Sequence, residues 1–344
     1  MPTMSTSSHY TQQIYTGHKA LSLVWEGDDL VDWASGGVRW HPDGTMSPGR
    51  VDYAFRFNMA VSEPKGEYVV LYSRVGTKGL LLRRGEIVRE LNRSCCHAEA
   101  FEYPVALVRR EDRVLLVHCP SRYHHLEIED ATTGEWLTSR PAQAGPFFHS
   151  RLAVSPGGRS LLSAGWVWQP WSAVVCYDLD EALRNPAVLD SLERSAPTTR
   201  NVSLAEEDSA CWLSDDEVLL AGGDEEDAKD PEVATRGENR LKPHGLAVFH
   251  VREKTIRSLC VPEPRGRIGT MMPVGTTHVM AFYQYPRLIR LSDGALEFSL
   301  PELRSGTQAS SIVGGKELPA LALDPVRKRF ALAQGEKVHV ISVG

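Results

Sequence analysis

Cysteine is scarce in this sequence: six residues in 344, at positions 95, 96, 119, 176, 211 and 260. That density excludes a disulfide framework and points to a reducing cytoplasm. No apolar run reaches bilayer-spanning length, so no membrane partner is expected. The opening MPTMSTSSHYTQQ lacks the apolar centre of a signal peptide, so export by that route is not expected either. Positive charge is not in excess: 38 Lys and Arg face 44 Asp and Glu, a net charge of −6. A dedicated nucleic-acid binder would show the opposite balance. There is no Gly-x-Ser-x-Gly elbow, no phosphate-cradling glycine loop, no His-Glu-x-x-His pair and no Cys-x-x-Cys. The sequence therefore names no reaction, and no cofactor is expected.

What is present is strand pattern. Apolar segments of four to eight residues alternate with period two and are bounded by Gly, Pro, Asp or Ser. A unit recurs: an apolar strand, a tight polar turn and a second apolar strand. It appears in FNMAVSEPKGEYVVLYS, YPVALVRREDRVLLVHC, SRLAVSPGGRSLLSAGW, ACWLSDDEVLLAGG, MMPVGTTHVMAFYQ and LALDPVRKRFALAQG. The first strands end at Val61, Val108, Val154, Leu213, Val274 and Leu323, in steps of 47, 46, 59, 61 and 49 residues. A weaker copy, ALSLVWEGDDLVDWASGG, turns after Trp25.

Steps of this size with about four short strands each are the spacing of β-propeller blades. One four-stranded sheet cannot bury both faces alone, and radial stacking buries them while leaving few open edges. The expected fold is all-β, a single seven-bladed propeller over residues 1–344, with six blades and a loose N-terminal arm as the alternative. The C-terminal KVHVISVG reads as a third strand, and TQQIYTG near the N-terminus is expected to supply the fourth and close the ring. Residues 182–203 read as an insertion with a short helix and a polar linker. Residues 222–243, charged and poor in apolar side chains, read as a mobile loop.

Let the strands of a blade be A to D from the centre outward. In an antiparallel meander the B–C loops and D–A crossovers share one end, and the A–B turns lie at the other. The A–B turns are plain: EPKG, REDR, PGGR, SDD and PVRK. The other end carries SRVGTKG, HCPSRYHH, GWVWQPW and YQYPR together with NRSCCHAEAFEY and GPFFHSR. Histidine, arginine, tyrosine and tryptophan thus concentrate on one face, and loops at one end of a rigid scaffold are where sites are built.

RELNRSCCHAEAFEYP, HCPSRYHHLEIED and FHSRLAVSPGGRSLLSAGWVWQPW resemble a group of bacterial WD40-like propeller proteins without assigned activity. The resemblance covers residues 20–180 best; it implies the fold and no reaction. The Trp-Asp and Gly-His signatures of eukaryotic WD40 repeats are largely missing.

Four readings of the rich face follow. Cys95, His97, His118 and Cys119 offer thiolate and imidazole groups of the kind zinc takes, although vicinal cysteines and the missing Cys-x-x-Cys argue for packing instead. His97, Glu99, Glu102 and His149 include the residue types of an acid–base pair, which would make the chain an enzyme with a small-molecule pocket at the channel mouth. Arg74, Lys78, Arg93, Arg122 and Arg151 suit phosphate or carboxylate groups, or else inter-blade ion pairs, and His118 and Tyr123 count among the binding residues of the same face. Trp166 and Trp168 point to one side of an extended strand and are expected to pack between blades, whereas Pro170 ends the strand and exposes Trp171. The leading expectation is a cytoplasmic interaction module that binds a protein or peptide through this face, with Trp168 and Trp171 among its contacts. The acidic run 224–230 lacks the spacing of a calcium loop.

Overall fold

The computed structural model describes residues 3–141, 145–168, 171–190, 205–224, 240–316 and 318–344. Seven antiparallel sheets follow one another along the chain. Blade 1 is Val24–Glu26, Asp29–Asp32, Val38–Trp40 and Met46–Ser47, and blade 2 is Met59–Ser62, Tyr68–Tyr72, Lys78–Arg83 and Glu86–Asn92. Blade 3 has Val105–Arg110, Arg113–His118 and Glu127–Asp130, extended by a single bridge from Glu129 to Trp136. Blade 4 is Leu152–Val154, Ser160–Val167 and Trp171–Asp178. Blades 5 and 6 begin at Glu207–Trp212 and Met271–Val274 and are regular four-stranded meanders. Blade 7 comprises Leu321–Asp324, Arg329–Gln334 and Lys337–Val343.

The repeat read from the sequence is the blade repeat. Val154 and Val274 are the last residues of inner strands, and Val61, Val108, Leu213 and Leu323 fall at or beside theirs. Burial follows position. In blade 2 the second strand, YVVLY, is buried throughout, while the outer strand EIVRELN is largely exposed. A strand packed on both faces must be apolar at every position, which is why the second strands read as unbroken apolar runs.

Apolar clusters fill the spaces between successive blades. Val108 and Leu115 of blade 3 meet Leu161 and Val175 of blade 4, Leu162 and Val174 meet Trp212 and Leu220, and Met272 and Phe282 meet Phe330 and Ile341. The last such interface joins Ala322 and Ala331 of blade 7 to Leu30 and Trp40 of blade 1, so the stack returns on itself.

Closure is covalently remote but regular. Tyr10–Thr16 runs antiparallel to Lys337–Val343, from Tyr10 opposite Val343 to Thr16 opposite Lys337. The N-terminal segment is therefore the fourth strand of blade 7, as TQQIYTG led us to expect, and Thr3–Thr6 adds a fifth outside it. The expected helix is Leu179–Arg184, which starts earlier than residue 182 because Asp178 caps it, accepting from the Glu181 amide. A short 3-10 turn, Pro186–Asp190, follows. The linker from 191 to 203 and most of the charged 222–243 segment (225–239) lie outside the described residues.

Candidate functional site

The inner strand of blade 4 is broken. Phe147–Phe148 and Leu152–Val154 both pair with Ser160–Val167, and the residues between leave the ladder at Arg151, whose φ is +40°. The break brings Phe148 opposite Trp166 in register. Phe148 is then sandwiched face to face, with Trp166 on one side at 3.9 Å and Tyr123 on the other at 3.7 Å, each within 6° of parallel. Phe101 meets the stack edge-on, 5.4 Å from Phe148. FHSR, GWVWQPW, HCPSRYHH and the crossover before blade 3 thus converge at one end of the molecule.

Trp166 is buried here, as its strand position implied. Trp168 corrects the expectation that it packs between blades. It lies on the same side as Trp166, ring centroids 6.2 Å apart, but the paired strand has already ended at Val167. Its amide donates to the Pro146 carbonyl, and the indole flanks the stack, 6.1 Å from Phe148 and 6.2 Å from Trp166, 57 % exposed. Trp171 begins the next strand and is 37 % exposed. His97, at φ +52°, sits against Phe148, Trp166 and Trp168 at 5.8 to 6.2 Å, with 43 % of its side chain exposed. Exposed Trp168 and His97 therefore flank a stack in which Phe148 and Trp166 are buried.

The remaining candidates take varied places. Arg93 is a buried brace: Nε donates to Gly76 O, Nη2 to Ala98 O and Phe101 O, and the guanidinium covers the Phe101 and Tyr103 rings. Burial lowers its pKa to about 10. Arg151 links two blades through Ala164 O and Asp208 O, and burial pulls it to about 10 as well. Lys78 bonds Asn92, and Arg122 is exposed. His118 is buried 3.6 Å from Glu129, Cys119 is fully buried with its thiol pushed up by desolvation, and Cys95 is exposed. Among the described residues no group of three or more His, Cys, Asp or Glu side chains is placed to hold a metal ion.

His97, Glu99, Glu102 and His149 have separate partners. His97 Nδ1 is 3.8 Å from the exposed Glu99. Glu102 Oε2 accepts from Arg74 Nη1 and Gln308 Nε2. His149 is buried beside the Ser163 hydroxyl, and desolvation drops its pKa to about 3, which leaves it neutral at physiological pH.

The channel holds a cavity of about 650 Å³. Pro156, Gly275, Thr276 and Val326 of the A–B turns form its rim, so it opens at the end whose turns read as plain. Inward, Leu152, Leu213, Met271 and Leu321 of the inner strands make apolar walls. At the far end Arg74, Glu102 and Gln308 join in a closed triangle: Arg74 Nη1 reaches Glu102 Oε2 at 3.3 Å and Gln308 Oε1 at 3.1 Å, and Gln308 Nε2 returns to Glu102 Oε2 at 3.3 Å. Of the acid–base candidates only Glu102 lines this space. Gln308, 206 residues away in sequence, carried no motif that would have marked it.

Seven radially stacked sheets around a channel, closed by pairing of the two terminal regions, define a WD40-like β-propeller. A chain in the crystal structure of a mitotic checkpoint complex has the same architecture, with a TM-score of 0.59, 10 % sequence identity, and coverage of 96 % of this chain and 90 % of that one. At that identity the likeness is one of fold. Neither the protein-family models nor the curated proteins contain a match. No helix among the described residues is long and apolar enough to cross a membrane.

Proposed function

We propose that this chain is a cytoplasmic interaction module that binds a protein or peptide at the B–C and D–A loop end, with Trp168 as the central anchor. The observation that carries this reading is an indole left 57 % exposed against the side of a stacked aromatic cluster. A large exposed aromatic costs solvation unless something covers it, and a cluster that fixes its position removes much of the entropy lost on binding. Tryptophans in such settings are the residues that dominate interface energies. Trp171, His97 and Arg122 supply the surrounding polar and aromatic contacts. Tyr123, Arg93 and Arg151 hold the platform rather than touch the partner. That a structural neighbour is part of a protein complex accords with this role.

The test is affinity capture from lysate followed by mass spectrometry. Trp168→Ala should reduce recovery of the specific partner about thirtyfold, the size of a strong interface anchor. Val326→Ala, at the opposite end, should leave recovery unchanged. Equal recovery by folded Trp168→Ala and native protein would overturn the reading.

A further inference from the structure

The channel cavity opens at the end remote from Trp168. The geometry points to a binding site for a small anionic amphiphile, a monocarboxylate with an apolar body, whose head is received by Arg74 and Arg151 at the channel floor.

Three features lead there. The first is size: about 650 Å³ lies in the range of small-molecule sites. The second is the wall. Leu152, Val154, Leu213, Leu321 and Leu323 on the inner strands are only partly buried and present apolar surface to the channel. Strands lining a water-filled channel could carry polar residues at these positions, so an apolar lining favours an apolar occupant.

The third is charge. Arg74 is matched by Glu102, but no carboxylate among the described residues lies within ion-pair distance of Arg151; its contacts are the carbonyls of Ala164 and Asp208. Glu102 and Asp208 act on Arg151 through space, but neither carboxylate pairs with it directly, so its guanidinium meets the channel without an ion-pair partner of its own. Donors remain as well. Arg74 uses only Nη1 and Arg151 only Nε and Nη2, which leaves Arg74 Nε and Nη2 and Arg151 Nη1 without an acceptor among the described residues. A carboxylate satisfies both the charge and the fork geometry, and a guanidinium away from bulk water holds it more strongly than one at the surface. The A–B rim admits the ligand, head first, and the Arg74–Glu102–Gln308 triangle stops it.

The test is calorimetric titration of the full chain with decanoate, decanol and decyltrimethylammonium, each below its micellar concentration. Decanoate should bind one to one, decanol about tenfold or more weaker for want of charge-assisted hydrogen bonds, and the cation not measurably. Arg74→Gln should weaken decanoate about tenfold and leave decanol unchanged, and Ala210→Phe, which fills the channel, should abolish both. Methyl NMR of the native chain provides a measurement that needs no variant: decanoate should shift the Met59, Met271 and Met272 methyl resonances. Absent decanoate binding, equal affinity for decanoate and decanol, or unmoved channel methionines would each overturn the site. Trp168→Ala should bind decanoate normally, so loss of partner capture and loss of the channel site are separate results.

Discussion

Gly165 and Phe148 approach so closely that no side chain fits between them: a Cβ built on Gly165 would lie 1.9 Å from the Phe148 carbonyl oxygen. The contact lies where the inner strand leaves the ladder: Phe148 is paired with Trp166, Gly165 is the next residue along, and pairing resumes only at Leu152 opposite Ser163. Here glycine is required by the approach of another backbone rather than by its own dihedral angle.

Gly165→Ala should therefore push Phe147–Phe148 off the ladder and disorder the Tyr123–Phe148–Trp166 stack. A loss of about 1 to 3 kcal/mol in urea unfolding is expected, as for other overpacked sites. Near-ultraviolet circular dichroism, which reports the stacked rings, should fall while the far-ultraviolet sheet signal is kept. An unchanged near-ultraviolet spectrum would contradict the account.

Ile14 lies between two partners, Thr3 on one side and His339 on the other, in the strand that closes the ring. Proline there removes a donor from a strand paired on both sides and should cost about 3 kcal/mol or more. Val88 sits at a register shift in the outer strand of blade 2, opposite no ladder partner. Val88→Pro should cost less than half as much, and urea midpoints of the two variants measure the difference.

Arg140 holds Asp190 with two bonds of 2.8 and 2.7 Å, and its Nη1 is 3.7 Å from Glu127, both carboxylates being buried. Arg140→Met leaves those charges without their cation and should cost about 3 to 5 kcal/mol. Arg140→Lys, which lacks the fork, should recover only part. In Arg140→Met with Asp190→Leu much of the loss should return, and a double-mutant cycle in urea reads the coupling.

His149 sets a pH dependence. Burial depresses its folded pKa from 6.5 to about 3, so below 6.5 the unfolded chain takes up a proton that the folded chain refuses. Its contribution to stability is fully present above pH 6.5 and is lost as pH falls, at about 1.4 kcal/mol per pH unit, until pH nears 3. His149→Gln, an uncharged side chain able to bond Ser163, should flatten that slope between pH 6 and pH 4. Stability curves of native and variant protein that stay parallel across the window would refute the assignment.

The blades were legible because they rest on local pattern. YVVLY and VLLV are apolar at every position since both faces are covered, and the turns between strands carry Gly, Pro and Asp for backbone reasons. Closure was legible because KVHVISVG lacked a partner strand and TQQIYTG was unassigned. The polar end was harder to read. Composition showed which loops held arginine but not what each arginine would meet: Arg93 is held by the carbonyls of Gly76, Ala98 and Phe101, and Arg74 Nη1 by Glu102 and Gln308. The contacts to Gln308 join side chains from distant blades, which no spacing encodes. Trp168 was placed on its correct side by strand alternation, yet its exposure depended on where pairing stopped, one residue earlier at Val167.

Pairing of Tyr10–Thr16 with Lys337–Val343 also fixes an order of events during synthesis. The strand that completes blade 7 is made about 320 residues ahead of its partner. At about 5 to 20 residues per second, this early strand waits some tens of seconds without its partner. Until then the growing arc carries an open edge at each end, and the ring acquires its closing interface only when Lys337–Val343 leaves the ribosome. Cells that make this protein must keep that early segment from pairing with other nascent chains in the interval.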